Sequence, residues 1–165
     1  MKSIVYIDAA NIILSARNIN FDLDILKLVT HLKDSLRADL VIYFSGRFSF
    51  MQDTFLKLQE RGVELVYKEI YNENSKTKAN CDVEITHRIT SDILLNVVSK
   101  IILLTGDGDF APLLDFANSK KIEARVMAMD PMSCSLMLKR RDYTNISYLV
   151  DLSDLIRNEK PPAST

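Results

Sequence analysis

The chain has 165 residues, enough to bury the core of one domain and too few for two of ordinary size. Hydrophobic residues make up 47% and charged residues 26%, a globular balance that excludes disordered and fibrous classes. A net charge of -1 excludes a global positive field, so a nucleic-acid partner would have to be held by local patches.

Aliphatic and β-branched segments alternate with segments of helical period. Residues 3–7 (SIVYI) predict a first strand, and residues 24–36 a helix with Ile25, Leu28, Val29, Leu32 and Leu36 on one face. A second strand is expected at 40–44, a helix at 50–59, and a third strand at 63–67 after the Arg61-Gly62 stop. Residues 82–97 predict a helix, with Ile85, Ile89, Ile93 and Val97 in register. An apolar fourth strand at 101–104, a helix at 110–119 and a fifth strand at 123–129 follow. Residues 133–141 suit a further helix and 146–150 a short last strand. The domain is expected to span 1–157, with 158–165 (NEKPPAST) a disordered tail.

Cys81 and Cys134 have no metal-ligand or paired spacing, which suits thiols in a reducing compartment. Met1-Lys2-Ser3 runs directly into the first strand, and no apolar run reaches the roughly 20 residues of a membrane span. A cytoplasmic location without membrane attachment is expected.

This alternation predicts an α/β three-layer sandwich, with a mostly parallel sheet of five to six strands covered on both faces. Right-handed crossovers favour doubly wound orders such as 3-2-1-4-5, in which the first and fourth strands are neighbours. The first strand ends in Ile7-Asp8-Ala9-Ala10-Asn11, and the fourth in Leu104-Thr105-Gly106-Asp107-Gly108-Asp109-Phe110. Asp8 and Asp107 are therefore expected side by side beyond the carboxyl end of the sheet. Asp82 opens the helix that feeds the fourth strand.

Two unit charges about 4 Å apart repel by about 4 kcal/mol at an effective dielectric of 20. Asp8, Asp82, Asp107 and Asp109 together therefore call for a compensating cation. A hard divalent ion, Mg2+ or Mn2+, prefers oxygen donors and can orient and polarise a phosphodiester. Gly106 and Gly108 would let the backbone turn and a ligand approach closely. Asn11 and Thr105 would position a water or a phosphate oxygen.

These motifs resemble the NYN domain family, PIN-like metal-dependent ribonucleases with a Rossmann-like fold. The matches are IDAAN at 7–11, Asp82 in CDVEIT, and TGDGDFAPLL, where Thr105 stands for the family's serine. The closing stretch 135–148 is also similar, with Asp142 at a recurrent acidic position. The resemblance covers about residues 2–152 and implies RNA cleavage with Mg2+ or Mn2+ at Asp8, Asp82, Asp107 and Asp109. Two features depart from the family. Lys78 is displaced by one position, and Thr86, His87 and Arg88 stand where an additional helix acid is often found. That missing acid keeps open a non-catalytic RNA-binding or scaffold module, and a homodimer also stays open.

Other readings of the same residues remain. Asp107 and Asp82 suit helix caps, and Gly suits the turn. Gly106 to Ala111 fits GxGxxA after a strand, with Asp130 at the spacing of a ribose-binding acid, but Asp107 and Asp109 would then face a pyrophosphate. His31 and His87 stand singly, as ordinary histidines do. Lys76 and Lys78, with Lys139, Arg140 and Arg141, are either solvated charges or the cations of an RNA track. Phe48 and Phe50 are read as stacking or packing residues, and packing is expected for Phe50.

Overall fold

The computed structural model describes residues 1–68 and 80–158. Along it run β1 (Lys2–Asp8), α1 (Ala9–Asn18), α2 (Ile25–Leu36), β2 (Leu40–Gly46), α3 (Gln52–Glu60) and β3 (Glu64–Lys68). After residue 80 come α4 (Asp82–Leu94), β4 (Val98–Leu104), α5 (Ala111–Ser119), β5 (Glu123–Ala128), α6 (Leu136–Lys139), β6 (Asn145–Tyr148) and α7 (Ser153–Ile156). The strands form one sheet in the order β3-β2-β1-β4-β5-β6, and every adjacent pair is parallel.

Alternation along the strands divides the core in two. Ile4, Tyr6, Ile42, Phe44, Ile101 and Leu103 pack with Ile85 and Ile89 of α4 and Leu114 of α5. Val5, Ile7, Val41, Tyr43, Ile102 and Leu104 pack on the other face with Ile12 of α1, Leu28 and Leu32 of α2 and Phe55 of α3. Both faces are covered, as the continuously apolar strands require. The α/β three-layer fold is as expected, and the short last strand extends the expected order by pairing beyond β5.

A buried polar chain holds α4 in place. The Tyr6 hydroxyl donates to Asp92 at 2.9 Å, and Arg88 Nε donates to the same carboxylate oxygen at 3.0 Å. The Arg88 guanidinium also forks onto Glu64 of β3. Burial and the Asp92 charge push the Tyr6 phenol far above its ordinary range, so it stays a donor. Arg88 thus clamps α4 to the sheet.

Several boundaries depart from the expected ones. The sequence pattern does not announce α1, although Ala9, Ile12 and Ala16 give it a buried stripe and the Asp8 side chain caps it. The helix expected over 82–97 ends at Leu94, because Asn96 takes a left-handed φ of 55° and reverses the chain. β4 consequently begins at Val98, three residues before the expected start. Only Leu136–Lys139 of the stretch 133–141 is α-helical. Asn158, expected in the tail, is tied to Asp22 through its backbone N–H at 3.0 Å and its side-chain amide at 2.8 Å. The remaining tail residues 159–165 lie outside the described residues, as do Lys76 and Lys78.

Candidate metal centre

The pairing of Ile7 with Leu104 sets Asp8 and Thr105 side by side where β1 and β4 end. Asp8 is only 3% exposed. Its carboxylate accepts the Asn11 backbone N–H at 3.2 Å and the Thr105 hydroxyl at 2.9 Å. Thr105 Oγ1 in turn accepts the Asp107 N–H at 3.2 Å, and Asn11 Oδ1 accepts the Gly106 N–H at 2.8 Å. Asn11 and Thr105 therefore brace the loop between β4 and α5, and both are already engaged with the protein.

The remaining acids sit above this floor. Asp107 caps the short 3-10 turn Gly108–Phe110, accepting the Asp109 N–H at 2.9 Å. Asp82 opens α4, and oxygens of Asp82, Asp107 and Asp109 all lie within 4.8 Å of one another. Asp8, Asn11, Leu14, Asn80, Asp82 and Asp107 line a crevice of about 250 Å³. The four predicted acids are thus brought to one place, three in a close group and Asp8 deeper beside them.

The electrostatics record crowding. Burial pushes the Asp8 carboxyl up to about 6, against the pull of the Asn11 N–H and the Thr105 hydroxyl, with Asp82 and Asp107 adding to the rise. Burial likewise raises Asp82, opposed by its hydrogen bond from Asn80, while Asp107 and Asp109 push it further. A bound cation would reverse the effect of these neighbouring charges. The donor set suits a hard one: all ligands are carboxylate oxygens.

Two residues of the site, Asn80 and Lys68, were not among those the sequence singled out. The Asn80 side chain donates to Asp82 Oδ2 at 2.6 Å and accepts the Asp82 N–H at 2.9 Å, fixing that carboxylate from both sides. Lys68 Nζ donates to the Asn80 carbonyl at 2.6 Å. An asparagine two residues before a helix-opening aspartate is a turn signal, and NCD at 80–82 carries it. Glu84, on the first turn of α4, keeps a buried carboxylate oxygen without a hydrogen-bond partner among the described residues.

The glycines serve a purpose other than the expected one. Neither Gly106 nor Gly108 has a positive φ. A Cβ on Gly106 would stand 2.2 Å from the Ser133 carbonyl oxygen, and one on Gly108 2.4 Å from Ser135 Oγ. The segment 133–135 therefore presses onto the acid loop. Asp130, the ribose acid of the dinucleotide reading, spends Oδ1 on the Met132 and Ser133 N–H groups at 2.6 and 3.0 Å.

Of the predicted cations, Lys139, Arg140 and Arg141 fall among the described residues. Arg141 forks onto Asp115 at 2.8 and 2.6 Å, and Lys139 donates to the Pro131 carbonyl. Arg140 and Asp142 are exposed. Phe50, expected to pack, is 76% exposed. Cys81 and Cys134 are buried and form no disulfide with each other. His87 is exposed, and His31 meets Ser35 at 3.2 Å, as ordinary helix histidines do.

The NYN domain family matches residues 2–148. A crystal structure of a protein of unknown function from Vibrio parahaemolyticus RIMD 2210633 superposes with a TM-score of 0.75 at 19% identity, covering 94% of this chain and 96% of that one. At that identity the likeness concerns the fold. No curated protein matches the chain.

Proposed function

The chain belongs to the NYN domain family, and on that premise we propose that it is a ribonuclease cleaving RNA phosphodiesters with Mg2+ or Mn2+. The observation that carries this reading is the meeting of the Asp82, Asp107 and Asp109 carboxylates within 4.8 Å, beside buried Asp8 at the carboxyl end of the sheet. Asp82, Asp107 and Asp109 would hold the ion, with Asp8 completing the acidic floor. A divalent ion there supplies charge neutralisation for the phosphoryl oxygens and a water acidified toward neutral pH.

The protein's own residues do the rest. Asn80 and Lys68 hold Asp82 in position, and Thr105 and Asn11 hold the loop that carries Asp107. Asp8, buried and held by the Thr105 hydroxyl and the Asn11 N–H, keeps its carboxylate fixed at the floor of the crevice. The leaving and attacking groups belong to the RNA and to water, so the site needs no side-chain nucleophile. Among the predicted cations that are described, exposed Arg140 offers its charge to the RNA backbone. The reaction is proposed to be cytoplasmic; no helix among the described residues is long and apolar enough to cross a membrane.

RNA binding without cleavage is the second reading. It is favoured by Arg88, which stands on α4 as a structural clamp in place of a further acid. Incubation of a labelled single-stranded RNA with chelator-treated and Mn2+-restored protein separates the two. Cleavage that returns with Mn2+ and is lost by orders of magnitude in Asp8→Asn and Asp107→Asn supports the nuclease. Equal cleavage by wild type and both variants would assign the activity to a contaminant or another site.

A further inference from the structure

Beside the acid crevice lies a second cavity, of about 430 Å³, and Ala10 and Leu14 of α1 line both. Its other walls include Ile13, Arg17, Phe48, Phe50 and Met51. Phe50 is 76% exposed, an unusual position for an aromatic ring with an apolar pocket at hand. Phe48 stands next to it, the ring centroids 5.2 Å apart and tilted by 35°. At the same end of β2, the Arg47 guanidinium lies 5.7 Å from the centre of the Tyr67 ring.

We infer that this cavity is a nucleobase subsite, in which Phe50 stacks on a base of single-stranded RNA next to the linkage held at the acid crevice. The inference rests on the ribonuclease reading and specifies its substrate. Three observations favour RNA over a protein segment. The cavity adjoins the acid crevice, sharing Ala10 and Leu14 as a common wall. Arg17, on the same helix as Leu14, brings positive charge to a chain whose net charge is -1. The exposed ring offers a flat π-face, which every base can use. A duplex keeps its base faces stacked internally, so the subsite selects single strands.

The test is binding of a phosphorothioate single-stranded RNA carrying 2-aminopurine, with Mn2+ present, followed by anisotropy and by quenching of the 2-aminopurine. Wild type is expected to bind and quench. Phe50→Ala should bind roughly tenfold more weakly and lose the quenching. Phe50→Trp should restore both. The thermal stabilisation by Mn2+ should be the same in all three, because Phe50 does not line the acid crevice. Phe50→Ala binding and quenching like wild type would overturn the subsite while leaving the metal centre standing. Wild type failing to bind any RNA would overturn both readings. A change in sedimentation of Phe50→Ala with unchanged RNA affinity would assign the patch to contact between protein copies, also overturning the subsite.

Discussion

The Thr105 hydroxyl donates a 2.9 Å hydrogen bond to Asp8 Oδ2 while accepting the Asp107 N–H, so one fully buried side chain links two acids of the site. Thr105→Val keeps the shape and removes both bonds. It should destabilise the metal-free protein by about 1–3 kcal/mol, the cost of orphaned buried polar groups. Thr105→Ser keeps the hydroxyl and should lose less. Urea denaturation at neutral pH in chelator measures both, and a valine variant as stable as wild type would remove Thr105 from the site's support.

Asp8 gives the metal-free protein a pH dependence of definite sign. Its folded carboxyl lies at about 6 against an ordinary 3.8, so the fold binds this proton more tightly than the unfolded chain does. The contribution is therefore full below about pH 4 and is lost as pH rises through about 6. The shift corresponds to about 3 kcal/mol. In chelator, Asp8→Asn should gain on wild type between about pH 4 and about pH 7. A stability difference that stays constant over that range would show that Asp8 is not strained by burial.

Much of this arrangement can be read in the residues themselves, because it follows from alternation and chirality. Apolar strands separated by amphipathic helices give parallel pairing, and right-handed crossovers put the strands carrying Asp8 and Asp107 together. Residues 9–18 escape notice as a helix because Ala9-Ala10-Asn11 follows a strand directly, with no loop between them. The break at 95–97 is hidden because a left-handed asparagine, unlike glycine, leaves little mark in a sequence. The role of Gly106 depends on Ser133, a partner distant along the chain, and no local pattern carries that.

Gly106→Ala and Gly108→Ala should both destabilise, by about 1–3 kcal/mol or more, but for separable reasons. The Gly106 neighbour is backbone, so changing the Ser133 side chain should give no relief. The nearest Gly108 neighbour is the Ser135 hydroxyl, so Ser135→Ala should recover part of the loss in the double variant. A double-mutant cycle by urea denaturation checks this. Strict additivity at Gly108 and Ser135 would contradict the contact.

The RNA track is tested through salt. Arg140→Ala and Lys78→Ala should weaken RNA binding and lower the slope of log affinity on log salt by about 0.7 for each single-strand phosphate released. Arg141→Ala should instead act on stability, since its guanidinium is committed to Asp115. Unchanged salt slopes in the first two variants would return both residues to the solvated surface.

Everything proposed for the site depends on Asp82, Asp107 and Asp109 holding a divalent cation. The most direct measurement is anomalous diffraction from a crystal of the protein soaked in millimolar Mn2+. The expected result is a manganese peak bonded to carboxylate oxygens of these three residues, beside Asp8, and its loss in Asp107→Asn. A well-ordered site with no manganese among those carboxylates would contradict the metal centre.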